Sequence, residues 1–270
     1  MSKTHILFTG ANGGLGIEAI KHLLTQSSPV HVYAGVRSDA KAKELQEALK
    51  ETLESSRSGS TLETILLNIN DDESIKSAVK GLKQLDILVN NAAIANDGIA
   101  EKEGTRAMLS KTFDTNVFSA VVLIEAVLPL LHASRTERKR RPAIINVSSG
   151  LGSITDSLSP NFAYAGFWQR GYSVSKTALN SITGYFAATL ADPLFISGKE
   201  KQPTMEIVST ETAFRVVSVD PGFNATPMNG NSGPFHPSVG GKVIADAALD
   251  EAGKNGIFIT QQHGGGTLPW

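Results

Sequence analysis

The sequence predicts a single α/β domain built on a doubly wound parallel sheet of about seven strands, with helices on both faces. Three observations carry the prediction. Short apolar runs alternate with amphipathic stretches from one end of the chain to the other, a pattern that covers both faces of a parallel sheet with helices. The first apolar run passes directly into a glycine-rich turn and then into a helical stretch. The 270 residues contain no linker rich enough to separate two domains, so one domain over 1–270 is expected.

His5-Ile6-Leu7-Phe8 reads as a short buried strand, and the turn after it opens a helix over 16–25. A second strand is expected over 30–36. The stretch 39–53 is amphipathic, with Leu45, Leu49 and Leu53 at helical spacing. A third strand is expected over 64–69, and Asp71-Asp72 offers an N-cap for a helix reaching 83. Strands over 85–89, 143–147, 214–219 and 257–260 complete the sheet. Long helical patterns occupy 113–131 and 172–191, and polar connections occupy 55–60 and 197–212. Right-handed crossovers between parallel strands then place helices on the two faces in turn.

Composition narrows the function classes. Hydrophobic residues make up 41%, enough for a sizeable core. A formal net charge of -1 leaves no overall field to recruit nucleic acid or an anionic membrane. The absence of cysteine excludes disulfides, thiolate zinc sites and a cysteine nucleophile. No charged-then-apolar leader fits before the strand at His5, and the apolar stretch 117–131, broken by Glu125, is too short to span a bilayer. A cytoplasmic protein without nucleic-acid or membrane partners is the expectation. The run from Arg135 to Arg141 is the only dense charge cluster, and it is expected to solubilise the turn before the fifth strand.

Two local patterns carry chemistry. Tyr172 and Lys176 stand four residues apart in Tyr172-Ser173-Val174-Ser175-Lys176, which stacks them on one helix face. A lysine cation one turn away is expected to lower the phenol's pKa, making the pair a general acid for reducing a carbonyl or a base for oxidising an alcohol. Thr9-Gly10-Ala11-Asn12-Gly13-Gly14-Leu15-Gly16 follows the first strand and opens a helix. Its glycines at 10, 14 and 16 let backbone approach a pyrophosphate, with N–H donors supplied by the helix start. The spacing is Gly-x-x-x-Gly-x-Gly; a plain tight turn is the bland account of it, and the strand-turn-helix context favours the nucleotide reading.

Taken together, Thr9-Gly10-x-x-x-Gly14-x-Gly16, Asn90-Asn91-Ala92-Ala93, Ser149, Tyr172-x-x-x-Lys176 and Pro221-Gly222-x-x-x-Thr226, in that order, resemble the short-chain dehydrogenase/reductase family. The likeness is to its compact single-domain, carbonyl-reductase-like form. The resemblance implies a Rossmann-type fold and a dinucleotide cofactor. It implies catalytic roles for Asn116, Ser149, Tyr172 and Lys176. Ser149 would bind the substrate oxygen, Tyr172 would exchange the proton, and Lys176 would also meet the nicotinamide ribose. Asn116, in Thr115-Asn116-Val117, would hold a water of a proton relay. The cofactor set it implies is Gly10, Asn12, Gly14, Leu15, Gly16, Arg37, Asn68, Ile69, Asn91, Ala92, Tyr172, Lys176, Pro221, Gly222 and Thr226. Two departures stand out: Ala93 replaces the family's usual glycine, and the segment between Ser149 and Tyr172, roughly 150–171, is longer than in the most compact members.

Cofactor choice rests on the end of the second strand. Val36 occupies the position where an acidic residue would pair with a ribose hydroxyl, and Arg37 follows. A guanidinium suits a 2′-phosphate, so NADP(H) is preferred, while Asp39 keeps NAD(H) open. Ser38 could add a hydroxyl. The segment 223–237 is expected to form the substrate lid, with Met228 and Phe235 as contacts and His236 as a solvated loop residue. Phe162, Tyr164, Phe167 and Trp168 form either an aromatic rim or an anchor for the longer segment. The function expected is reversible hydride transfer between NADP(H) and a small-molecule carbonyl or secondary alcohol. The alternative is a non-catalytic cofactor-binding regulator or scaffold. Apolar faces on 113–131 and 172–191 suggest a homodimer or homotetramer; a monomer would follow if the longer segment covers them.

Overall fold

A computed structural model describes residues 3–95, 97–161, 169–192, 206–261 and 265–270. Eight strands form one sheet in the order β3-β2-β1-β4-β5-β6-β7-β8. They are β1 (Thr4–Phe8), β2 (Val30–Val36), β3 (Thr61–Leu66), β4 (Ile87–Asn90), β5 (Ala143–Val147), β6 (Arg215–Asp220), β7 (Phe258–Thr260) and β8 (Gly266–Leu268). All pairings are parallel except β7 with β8. The strand order reverses between β1 and β4, the point at which a doubly wound sheet opens a crevice at its carboxyl edge.

The helices are α1 (Gly14–Leu24), α2 (Asp39–Ser55), α3 (Asp72–Gly81), α4 (Ile99–Glu103), α5 (Thr105–Phe113), α6 (Ser119–Arg138), α7 (Ile154–Ser157), α8 (Arg170–Thr189) and α9 (Pro237–Leu249). Alternate strand residues feed two cores, as the two-residue period of a strand requires. Ile6, Phe8, Val32 and Ala34 pack with Ile20 and Leu24 of α1, Leu45 and Leu49 of α2, and Ile244 and Ala248 of α9. Leu7, Leu88, Ile144 and Val216 pack on the opposite face with Ile75 of α3, Leu123 and Val127 of α6, and Phe186 of α8.

Several sequence-derived boundaries move. β3 lies earlier than expected because its pairing with β2 runs from His31↔Thr61 to Val36↔Leu66; residues 67–69 have already left the ladder. The helix expected over 113–131 is part of a longer stretch, Thr105–Arg138, which is long and apolar enough to cross a membrane by length and composition. Leu123, Ile124, Val127 and Leu131 of that stretch are fully buried in the second core, so its apolar side serves the fold. β8 is three residues of Gly-Thr-Leu, too short to show a period. α9 lies outside the sequence expectation altogether, because Gly240-Gly241 weakens the helix signal. Those glycines are what seat it: a Cβ on Gly241 would lie 2.7 Å from Ala19 N and 2.8 Å from the Glu18 carbonyl carbon of α1.

Candidate active site

The turn after β1 is folded tightly on itself. Gly10 has φ +62°, and a Cβ there would lie 2.8 Å from Ala92 Cα. A Cβ on Gly16 would lie 2.4 Å from the Gly10 carbonyl oxygen. Thr9 Oγ1 accepts from Asn91 N (3.0 Å) and Ala92 N (3.1 Å). The Asn91 side-chain amide donates to Thr9 O (3.0 Å) and Gly10 O (3.1 Å). Asn91, expected against the cofactor, thus uses both amide hydrogens to staple the turn to β4. Gly13, the N-cap of α1, has no side chain to accept from the first amides of the helix; only its carbonyl does, from Ile17 N (2.9 Å). A helix start with no side-chain cap, beside close-packed glycine, suits a pyrophosphate, and the residues present therefore fit a dinucleotide.

The side chains expected to be catalytic converge at the carboxyl end of β5. Ser148 is buried, with its N–H on Val219 O (2.7 Å) and its hydroxyl on Lys176 O (3.4 Å). Ser149 is half-buried; its Oγ accepts from Leu151 N (3.2 Å), and its hydroxyl lies near enough to the Tyr172 phenol to favour the phenolate. Of the two serines, Ser149 is the one that reaches the phenol. Tyr172 and Lys176 lie one turn apart near the start of α8, with Lys176 Nζ 5.5 Å from the centroid of the Tyr172 ring. Lys176 is 2% exposed and donates to Val147 O at 2.8 Å.

The electrostatics correct one expectation. Burial pushes the Tyr172 phenol up to about 12; the hydrogen bond from Ser149 opposes this and the Asp220 carboxylate adds to it. Tyr172 is only half-buried by surface area, so solvent at its exposed edge softens that push. Burial pulls Lys176 down to about 7. The expected lowering of the phenol by a neighbouring ammonium is not what prevails. Desolvation drives both groups toward their neutral forms, and a lysine near 7 is only partly charged.

Asn116 sits in a single π-helical turn, Asp114–Phe118, between α5 and α6. Its Oδ1 accepts from Ile94 N (2.8 Å), and its amide donates to Ile94 O (2.9 Å) and Ser175 Oγ (3.0 Å). Such turns recur at functional sites because they turn a side chain out of helical register.

The cofactor positions divide. Arg37 is exposed at the end of β2, and Val36 before it is buried. The Ser38 hydroxyl caps α2 by accepting from Lys41 N (3.4 Å), and its O–H remains a donor. Asn68 Oδ1 accepts from Asn70 N (3.3 Å), and Ile69 packs against the second core. Gly222 has φ +79°. Thr226 and Pro227 lean on the glycine turn, each with an atom within 3.5 Å of where a Gly14 Cβ would be. Asn224 organises that loop: its amide donates to Pro221 O and Gly222 O, and its Oδ1 accepts from Gly240 N of α9. Met228 and Phe235 are 48% and 41% exposed, and His236 is the exposed N-cap of α9. Sequence reasoning misses Asn224 and Asp220; a lone Asn or Asp beside Pro-Gly carries no periodic signal.

Phe162, Tyr164, Phe167 and Trp168 lie outside the described residues. The basic run does not merely solvate its turn. Arg138 donates to both Asp86 oxygens (2.9 and 2.8 Å), and Arg141 donates to Thr212 O (3.0 Å) and Gly253 O (2.7 Å). Both lie at the amino ends of the strands, away from Tyr172.

The sequence profile of the short chain dehydrogenase family matches residues 4–193. A short-chain dehydrogenase of Penicillium roqueforti is 34% identical over 263 residues, covering 94% of this chain and 92% of the relative. An NADPH-bound carbonyl reductase from chicken fatty liver superposes with a TM-score of 0.74 at 27% identity, covering 100% of this chain and 95% of that one. The carbonyl reductase Sniffer of D. melanogaster superposes with a TM-score of 0.73 at 26% identity, covering 100% of each chain. The glycine turn, the Ser149–Tyr172–Lys176 cluster and these likenesses agree: the chain belongs to the short-chain dehydrogenase/reductase family of oxidoreductases.

Proposed function

We propose that this protein transfers a hydride reversibly between NADP(H) and a carbonyl or secondary alcohol, with Tyr172 as general acid and base. The observation that carries the reading is the buried Lys176 amine 5.5 Å from the Tyr172 ring, one helical turn away and tied to the end of β5, where Ser149 follows. Gly10, Gly14, Gly16, Asn12, Leu15, Ala92, Pro221, Gly222 and Thr226 would hold the cofactor, with Asn68 and Ile69 toward its adenine. When bound, NADPH supplies a hydride from C4 of its nicotinamide ring.

The chain's own residues do the rest. The hydroxyls of Ser149 and Tyr172 bind the substrate oxygen and stabilise the negative charge that develops on it. A phenol pushed up to about 12 holds its proton at Oη at neutral pH, which suits it to donate in carbonyl reduction. As Tyr172 gives up that proton, Lys176, sitting near 7, can take one from solvent and face the phenolate as an ammonium. Asn116 orders the water that resupplies the proton.

Arg37 supports NADP(H) over NAD(H), because a guanidinium pairs a 2′-phosphate in bidentate fashion. The NADPH bound by the chicken-liver carbonyl reductase points the same way. Phe118, Val174 and Tyr185 are 55%, 52% and 61% exposed on the 105–138 stretch and α8, a surface suited to a homodimer or homotetramer.

The test is NADPH oxidation over a panel of aldehydes, ketones and diketones, with NADH in parallel. Tyr172→Phe should lower kcat by at least about a hundredfold while NADPH still binds; turnover near the unmutated rate rejects Tyr172 as the acid. Arg37→Ala should weaken NADPH by about tenfold or more and leave NADH within about twofold, the loss of one charge-assisted pair. Equal losses for the two cofactors reject the NADP assignment.

A further inference from the structure

The first turn of the catalytic helix is not capped by its own flank. Gln169, its N-cap residue, makes no side-chain cap hydrogen bond. The acceptor comes from far away in sequence. Asp97 Oδ2 accepts from Gly171 N at 3.2 Å, and Oδ1 accepts from Tyr172 N at 3.4 Å. Both oxygens of one carboxylate therefore hold the amides at and just before the proton-donating residue. Space enforces the placement: a Cβ on Gly171 would lie 2.3 Å from Met108 Sδ and 3.1 Å from Asp97 Oδ1.

Asp97 also ends a strap that begins at the cofactor cradle. Asn91 is bonded to Thr9 and Gly10 of the glycine turn. Three residues on, Ile94 exchanges two backbone hydrogen bonds with the Asn116 side chain, and Asn116 donates to Ser175 of α8. Ser175 Oγ in turn donates to Tyr172 O at 2.7 Å. Asn91 thus touches the glycine turn and Asp97, six residues on, the backbone of Tyr172. We infer that Asp97 is a positioning residue: it fixes the start of α8, and hence the Tyr172 hydroxyl, relative to the bound cofactor. The inference rests on the catalytic reading of Tyr172 given above. A negative charge at a helix start is favourable in its own right, but both bonds here fall on the catalytic turn.

The experiment compares Asp97→Ala and Asp97→Asn with Asp71→Ala in the full chain. Asp71 caps α3 in the same manner, with Oδ1 accepting from Glu73 N (3.0 Å) and Ser74 N (3.2 Å); α3 touches the cofactor side only through the Ser74 bond from Asn68 N and carries none of Asn116, Ser149, Tyr172 and Lys176. Asp97→Ala should lower kcat about tenfold with KM for NADPH within about twofold, because a misplaced acid slows the chemical step rather than cofactor binding. Asp97→Asn, which keeps one acceptor oxygen, should recover part of kcat. Asp71→Ala should lower Tm and leave kcat unchanged. Amide hydrogen exchange should quicken at Gly171 and Tyr172 in Asp97→Ala and stay as it was near Thr183. A kcat within about twofold of wild type in Asp97→Ala, or an equal loss in Asp71→Ala, overturns the inference. The exchange readout separates the two layers. If Tyr172→Phe still turns over, the catalytic reading fails by itself; unchanged exchange at Gly171 and Tyr172 shows that Asp97 does not seat the helix.

Discussion

At the residue scale the site is governed by desolvation. Tyr172 and Lys176 are legible as a pair from their spacing alone, but the direction of the phenol's shift is not, because spacing says nothing of burial. The Asp220 carboxylate is the part of that balance a substitution can reach. It is 1% exposed at the end of β6, holds Gly222 N (3.1 Å) and Thr260 Oγ1 (2.8 Å), and disfavours the Tyr172 phenolate. Removing its charge lowers the phenol's pKa from about 12, so more phenolate is present at any pH below that value. In the mechanism proposed for Tyr172, alcohol oxidation needs the phenolate and carbonyl reduction needs the phenol. Asp220→Asn should therefore raise kcat/KM for oxidation at alkaline pH several-fold, up to about tenfold for each unit the pKa falls. Reduction at neutral pH, where Tyr172 is protonated in either protein, should change little. The pH–rate profile in both directions checks this, and an oxidation rate that stays level or drops shows that Asp220 does not tune the acid.

At the element scale, what can be read from sequence is what local chemistry decides. Asp71 as the cap of α3 is such a case: the carboxylate's bond to nearby amides needs nothing beyond its neighbours. The glycine turn is another, since Gly10 requires a positive φ and Gly16 a backbone contact. Elements decided by distant partners stay hidden. α9 exists because a glycine pair lets it lie against the backbone of α1, which overrides a weak intrinsic propensity. The π turn that aims Asn116 at Ile94 leaves no mark in periodicity, although the asparagine itself is legible through family likeness. Asp97 is invisible for the same reason: its partners at Gly171 and Tyr172 are 74 and 75 residues away. Ser38 shows a second role that its neighbours hide: its hydroxyl oxygen caps α2, which leaves the O–H free to donate.

Across the whole molecule, the sheet separates chemistry from cohesion. The carboxyl ends of the strands carry the glycine turn, Ser149 and the loop at Thr226. The amino ends carry an ionic clasp built from the basic run before β5. Asp86, 2% exposed, accepts two bonds from Arg138 Nη1, one from His5 N (2.7 Å) and one from the Ser134 hydroxyl. Arg138 Nη2 also donates to Lys3 O (2.7 Å), so one guanidinium ties the end of α6 to the start of β1. Removing one partner from such a buried pair leaves the other charge desolvated and unmatched, which costs about 3–5 kcal/mol, whereas replacing both is far milder. Arg138→Met should therefore destabilise the fold by about 3 kcal/mol, and adding Asp86→Asn should recover much of that loss through their coupling. Because the clasp lies at the opposite edge of the sheet from Tyr172, the folded fraction of Arg138→Met should keep its NADPH affinity and kcat within about twofold. Denaturant unfolding of Arg138→Met, Asp86→Asn and the double variant, with turnover measured well below the unfolding midpoint, checks both halves. A stability loss in the double variant equal to the sum of the single losses would show that the two charges do not act as a pair. A fall in kcat alongside full folding would show that the two edges of the sheet are coupled after all.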